Sequence, residues 1–382
     1  MIQSECIALN QPGEGNDFSF LEPFIANKRY IFLGESVHTA KEYSLSKIEL
    51  IKYLHEEKGF NVVVFEGELG DCLLGNHLAE AEDMTELTFM QGSIGKLWQS
   101  SANLLLFDYI IGTKRDQHPL RLAGMDVQQS AGKHLSSYLI HHTRIPEKLR
   151  ENFQRFDERV NDLLKEDKLH KKKMQPEVNQ LIKLGERCLQ ELKDIDFDDD
   201  LLRKGILQSV HNRILYFEAN FKKSFSQLFE FRDFMMAKNL EFLSTDIYPE
   251  EKIIVWAHNL HVKKRSSSSL LSPYKSSFEN LSDTIKEKSA VFGYYAMSGH
   301  FGNPFGEDFS VKKVNKSYLE WLLGQSGYPS CFLPCLPIWA NTKMKVLESG
   351  NIRMNIKPID QYDGIMFFER ISPANFLANE LS

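Results

Sequence analysis

Six short, almost uninterrupted apolar runs punctuate the chain: RYIFLGE (29–35), NVVVFEG (61–67), LRLAGMD (120–126), KIIVWAH (252–258), SAVFGYYAM (289–297) and GIMFFER (364–370). None alternates cleanly between apolar and polar residues, which is the mark of strands covered on both faces. The segments between them are long enough for helices, and a helix is the natural crossover between parallel strands. The pattern predicts an α/β fold with a mainly parallel central sheet flanked by helices.

The pattern changes after the third run. Residues 130–245 give no strand signal, carry much of the charge, and repeat apolar residues at helical spacing. In FEFRDFMMAKNLEFL (229–243), Phe231, Met235, Leu240 and Leu243 approximate one stripe. The expectation is an α/β core over 1–129 and 246–382 with a large helical insertion over 130–245. Within the insertion, KLHKKKM (168–174) and DIDFDDDLL (194–202) read as solvated helix faces or inter-helix turns. After the fourth run, KKRSSSSLLSP (263–273) has loop composition and is a candidate lid. No internal repeat is found.

Composition narrows the function classes. At 382 residues, 42% of them hydrophobic, the chain can bury a substantial core. A net charge of −6 argues against a general nucleic-acid binder, which concentrates positive charge to displace counterions. No apolar run reaches the ~18 residues of a membrane span, and the first residues lack a secretory leader pattern. A cytoplasmic location without membrane attachment is expected. Five cysteines suggest no disulfide framework, and CFLPC (331–335) lacks the CxxC spacing of metal or redox pairs.

The candidate chemistry stands at the strand ends. In a parallel sheet the carboxyl ends of the strands open onto one edge, where ligands bind. Glu35 and His38 come after the first run, Glu66 closes the second, Asp126 ends the third, and His258 and His261 come after the fourth. Carboxylates beside imidazoles can fix a tautomer and raise basicity, as general-base catalysis near neutral pH requires. Asp126 serves equally as a cap for a helix in VQQSAGKHLSSYL (127–139), and His300 as a turn residue in SGHFGNPFG.

Absences trim the alternatives. There is no G-x-S-x-G elbow, no G-x-G-x-x-G fingerprint and no phosphate loop, GSIGK (92–96) being too short. Glu35, Glu66, His258 and His261 are of types that bind zinc, yet neither HExxH nor a Cys/His cluster is present. No metal and no cofactor are expected.

Four segments, GESVHTAKEYSLSKIELIKYLHEEKGFNVVVFEG (34–67), FRDFMMAKNLEFL (231–243), WAHNLHV (256–262) and QYDGIMFFERISPA (361–374), together resemble the erythromycin esterase family. The resemblance implies an α/β core with a helical insertion, and metal-independent hydrolysis of a macrolide lactone by an activated water. Its Glu-x-x-His pair falls on Glu35 and His38, the glutamate closing its second strand on Glu66, and the histidines of its AHNxH segment on His258 and His261. Where the family places an arginine, this chain has Lys47, and Thr39 stands where a glycine is usual. Lys47, Asp126 and Arg232 are taken as substrate-binding candidates. The expected partner is a small-molecule ester or lactone; a protein that binds a small molecule or a metal without turnover on the same scaffold is the alternative.

Overall fold

The computed structural model describes all residues except 1–3, 82, 130–132, 167–171, 198, 267–273, 336–341 and 378–382. Most of the candidate lid and part of KLHKKKM lie outside the described residues. The chain forms two compact units, one of residues 1–66, 96–121 and 250–382, the other of 67–95 and 122–249.

Strands are numbered in chain order: β1 (Ile7–Ala8), β2 (Tyr30–Leu33), β3 (Phe60–Glu68), β4 (Arg121–Asp126), β5 (Lys252–Trp256), β6 (Ser289–Gly302), β7 (Asp308–Ser310), β8 (Ser330–Pro334), β9 (Met344–Glu348), β10 (Ile352–Ile356) and β11 (Gly364–Ile371). In the first unit they run in the order β1-β8-β11-β6-β2-β5-β3, with β7 on β6. The pairs β11–β6, β6–β2, β2–β5 and β5–β3 are parallel; β8 and β1 add an antiparallel edge. The sheet is mixed but mostly parallel, and the fold is α/β. Tyr30 to Leu33 and Ile253 to Trp256 are all buried, as continuous apolar runs require of central strands. Most of CFLPC lies on β8, and the cysteines form no disulfide.

Register sets the site. Leu33 of β2 lies opposite Trp256 of β5, and Phe65 of β3 lies opposite the same Trp256. The residues just beyond these three positions, Glu35, His258 and Glu66, therefore emerge side by side from adjacent strands.

The second unit is helical around a core of its own. In the helix Glu147–Lys165, Leu149, Phe153, Phe156, Val160 and Leu163 recur at steps of three and four and are buried together with Val178, Leu181 and Cys188 of Gln175–Leu192. In the acidic run 194–202, Asp199 accepts from the amides of Leu201 and Leu202, capping the helix Asp200–Lys222. Deeper in this unit Arg213 pairs with Glu68 and Asp157, an ionic cluster that closes the polar groups of several elements on one another. No described helix is long and apolar enough to cross a membrane.

Candidate active site

Beyond β2 the chain makes the turn Gly34–Glu35–Ser36, tied down on both sides. Gly34 and Ser36 donate their amides to Phe292 and Tyr294 of β6, while the Glu35 carbonyl accepts from the Asn259 amide. Gly34 is required by this proximity, since a Cβ there would fall on the Asn259 side-chain oxygen. The turn thus fixes where the Glu35 side chain points before any side-chain bond is counted.

The Glu35 carboxylate is fully buried and surrounded by four donors. Oε1 accepts from His38 Nδ1 at 2.8 Å and from the indole N–H of Trp98 at 3.2 Å. Oε2 accepts from Lys47 Nζ at 2.6 Å and the indole N–H of Trp256 at 2.9 Å. Burial alone would raise its pKa, but Lys47 and His38 outweigh it and bring the group down to about 2. Glu35 is therefore a fixed anion at neutral pH.

A charged Glu35 can only accept, so His38 carries its proton on Nδ1 and turns Nε2 outward as a lone pair. That nitrogen has no hydrogen-bond partner among the described residues, and the side chain keeps 21% of its surface exposed. Its ring lies 4.7 Å from that of Trp98 and 5.0 Å from that of His258, measured between centroids. An oriented imidazole with one nitrogen facing outward has the geometry of a general base.

His258 is different. Its Nε2 lies 3.0 Å from the Ser36 carbonyl, to which it donates, and its Nδ1 accepts from the Leu260 amide at 3.1 Å. With both ring nitrogens engaged and the ring buried, burial and the neighbouring His38 push its pKa down to about 3. His258 is a neutral clamp: it caps the short helix Asn259–Val262 and holds the Glu35 turn through Ser36. Its own amide donates to Glu66 Oε2 at 2.8 Å, and the other Glu66 oxygen lies 3.3 Å from His261 Nε2. Glu66 and His261 form a second, buried carboxylate–imidazole pair.

Glu35, His38, Lys47, Glu66, His258 and His261 thus gather within the first unit. Lys47 is completely buried, and its ammonium sits behind Glu35, 4.5 Å from the Trp256 ring centroid and 5.2 Å from that of Tyr294. Asp126 and Arg232 belong to the second unit, where they form a two-pronged ion pair with a closest approach of 2.6 Å. Asp126 also accepts from the Val127 and Gln128 amides and caps no described helix, the next one starting at His134. His300 bonds Asp308 across the exposed β6–β7 turn. Among the described residues no three His, Cys, Asp or Glu side chains converge in a way that would hold a metal ion.

Sequence reasoning overlooked the two tryptophans and the Ser36 carbonyl. Trp256 stands at the end of an apolar run and reads as core; Trp98, in GKLWQS, carries no signal of its own.

The sequence model of the erythromycin esterase family matches residues 55–371. The chain belongs to the erythromycin esterase family. A relative named "Putative hydrolase YbfO", from Bacillus subtilis strain 168, is 28% identical over 94% of this chain and 87% of its own length. Among solved structures, a Bacillus cereus protein superposes with a TM-score of 0.76 at 18% identity, over 99% of this chain and 98% of its own. A mutant of the erythromycin esterase EreC in its open conformation does so with a TM-score of 0.68 at 17% identity, over 98% of this chain and 100% of its own. At these identities the structural likeness is one of fold. The family's fold is thus carried here on a site whose Glu35 is backed by a lysine.

Proposed function

We propose that this chain is a hydrolase of the erythromycin esterase type, in which His38 activates water against an ester or macrolactone carbonyl. The observation that carries the reading is the 2.8 Å bond between His38 Nδ1 and a fixed Glu35 anion, with Nε2 left facing outward. The family's name and that of the hydrolase relative support the reaction class.

In the reaction, water gives a proton to His38 Nε2 as its oxygen bonds the carbonyl carbon, and Glu35 stabilises the imidazolium that forms. The tetrahedral intermediate then collapses: the carbon–alkoxide bond breaks, and the alkoxide leaves with a proton returned from the imidazolium. His258, with both ring nitrogens engaged, keeps the turn in place, and the Glu66–His261 pair is assigned to steadying the leaving oxygen.

The test is turnover of p-nitrophenyl esters and of macrolactones by wild type and His38→Ala, with ring-opened or cleaved products identified by mass spectrometry. Loss of a base of this kind is worth about 10²–10⁴-fold in kcat. Equal turnover removes His38 from the chemistry, and ligand-induced thermal stabilisation without product makes the chain a binding protein instead.

A further inference from the structure

The mechanism uses Glu35 as a permanent anion, and a permanent anion in the interior needs a countercharge. Among the described residues Lys47 is the lysine bonded to it. Lys47 comes from the helix Lys41–Lys58, reaches Glu35 Oε2 at 2.6 Å, and has no exposed surface. The groups facing its ammonium are Glu35 on the turn after β2, the Trp256 ring at the end of β5 and the Tyr294 ring on β6, with Glu66, within β3, adding its field. His38 lies beyond Glu35, bonded to its other oxygen. Tyr43, on the same helix, and Tyr294 are both raised by burial and stay neutral.

A guanidinium at this position would keep its charge across all accessible pH, whereas an ammonium gives up its proton when buried. We infer that Lys47 is a titratable positioning residue: the Glu35–His38 pair holds its working geometry only while Lys47 is protonated, which gives the enzyme an alkaline limit. This rests on the reading of Glu35 and His38 as the working pair. Removing the Lys47 proton leaves a fully buried carboxylate without countercharge, a state that proteins avoid by admitting water or letting the acid turn toward solvent. Glu35 stays an anion, but once solvated or displaced it no longer fixes the Nδ1 proton of His38, and the imidazole loses the tautomer and orientation that leave Nε2 vacant as the base. Burial draws Lys47 down to about 8 even against the pull of Glu35, which places the limit within reach of an ordinary assay.

The experiment is a pH–rate profile on p-nitrophenyl acetate, corrected for spontaneous hydrolysis, for wild type, Lys47→Arg and Lys47→Met. Tryptophan fluorescence is titrated alongside without substrate, because the Trp256 ring lies against the ammonium and both indoles bond Glu35. Wild-type kcat should fall about tenfold per pH unit above the Lys47 midpoint, with a fluorescence step at the same pH. Lys47→Arg should hold its own plateau through that range, and Lys47→Met should show no step. If Lys47→Arg does not fold, wild type against Lys47→Met decides. A wild-type profile that stays level on the alkaline side, or a wild-type fluorescence titration without a step, overturns the inference. Absence of turnover on every ester overturns the proposed function instead, and the fluorescence step then remains the measure of Lys47.

Discussion

At the scale of single residues, the site is a problem in keeping one buried carboxylate charged. Replacing Glu35 by glutamine keeps the shape but removes the charge that orients His38 and supports its imidazolium, so kcat should fall by about 10²–10⁴. The same change strands Lys47 in the interior, and breaking a buried pair from one side costs about 3–5 kcal/mol. Lys47 has a remedy that an arginine lacks: it can release its proton. In Glu35→Gln the folded state then binds fewer protons than the unfolded state up to the ordinary lysine range, so stability rises with pH there. The deficit relative to wild type in urea unfolding should be smaller at pH 9 than at pH 6; an equal deficit at both contradicts the pairing. The acids and imidazoles were legible in the sequence because each stands where an apolar run stops. Trp98 was not, because an indole that will donate to a carboxylate looks like any other core aromatic until the fold brings the two together.

At the scale of elements, the β9–β10 hairpin braces the turn that carries Glu35. Its turn places Ser349 at φ +49 and Gly350 at φ +69, the two left-handed positions of a tight hairpin. The Ser349 amide donates to the Ser36 carbonyl at 2.7 Å, the same oxygen that receives His258 Nε2. The hairpin tip and the clamp histidine thus hold one peptide of the Glu35 turn between them. A Cβ at Gly350 would meet the Phe301 ring in a conformation L-residues rarely adopt. Gly350→Ala should lower stability by about 1–3 kcal/mol and, by moving the tip off Ser36, slow turnover at temperatures where the protein remains folded. Unchanged melting temperature and unchanged kcat would separate the hairpin from the site. Five of the six apolar runs seen in the sequence lie on strands of the first unit's sheet, because double-sided burial leaves a composition that no amphipathic helix shares. The hairpin leaves no such trace: MKVLE and IRMNI mix charged and apolar residues, and strands that pair mainly with each other need no continuous apolar run. The antiparallel β8 escaped the pattern because its five residues, SCFLP, hold only a short apolar run closed by a proline, and the stretch draws the eye as a cysteine pair before it reads as a strand.

At the scale of the whole molecule, buried ionisable groups set opposite pH slopes on folding. His258 is held down at about 3, so between that value and its ordinary range the unfolded state binds a proton that the folded state refuses, and acidification through this window costs stability. Glu320 works the other way. It is buried, with Oε1 accepting from the Leu347 amide at 2.6 Å and Oε2 without a partner among the described residues, and burial raises it to about 8. From the ordinary glutamate range up to that value the folded state holds a proton that the unfolded state has lost, so its stabilisation is present at low pH and is lost as pH rises. Glu320→Gln, a neutral isostere, should match wild type near pH 5 and then gain on it with increasing pH, by at most about 1.4 kcal/mol per unit, until Glu320 ionises. Denaturant midpoints across this range measure the gap, and a constant gap would mean that Glu320 is charged in the fold. The same variant distinguishes two origins of alkaline inactivation. If activity falls because the molecule loosens as Glu320 ionises, Glu320→Gln moves the limb upward; if it falls because Lys47 gives up the proton that holds Glu35, Glu320→Gln leaves the limb in place and only Lys47→Arg moves it.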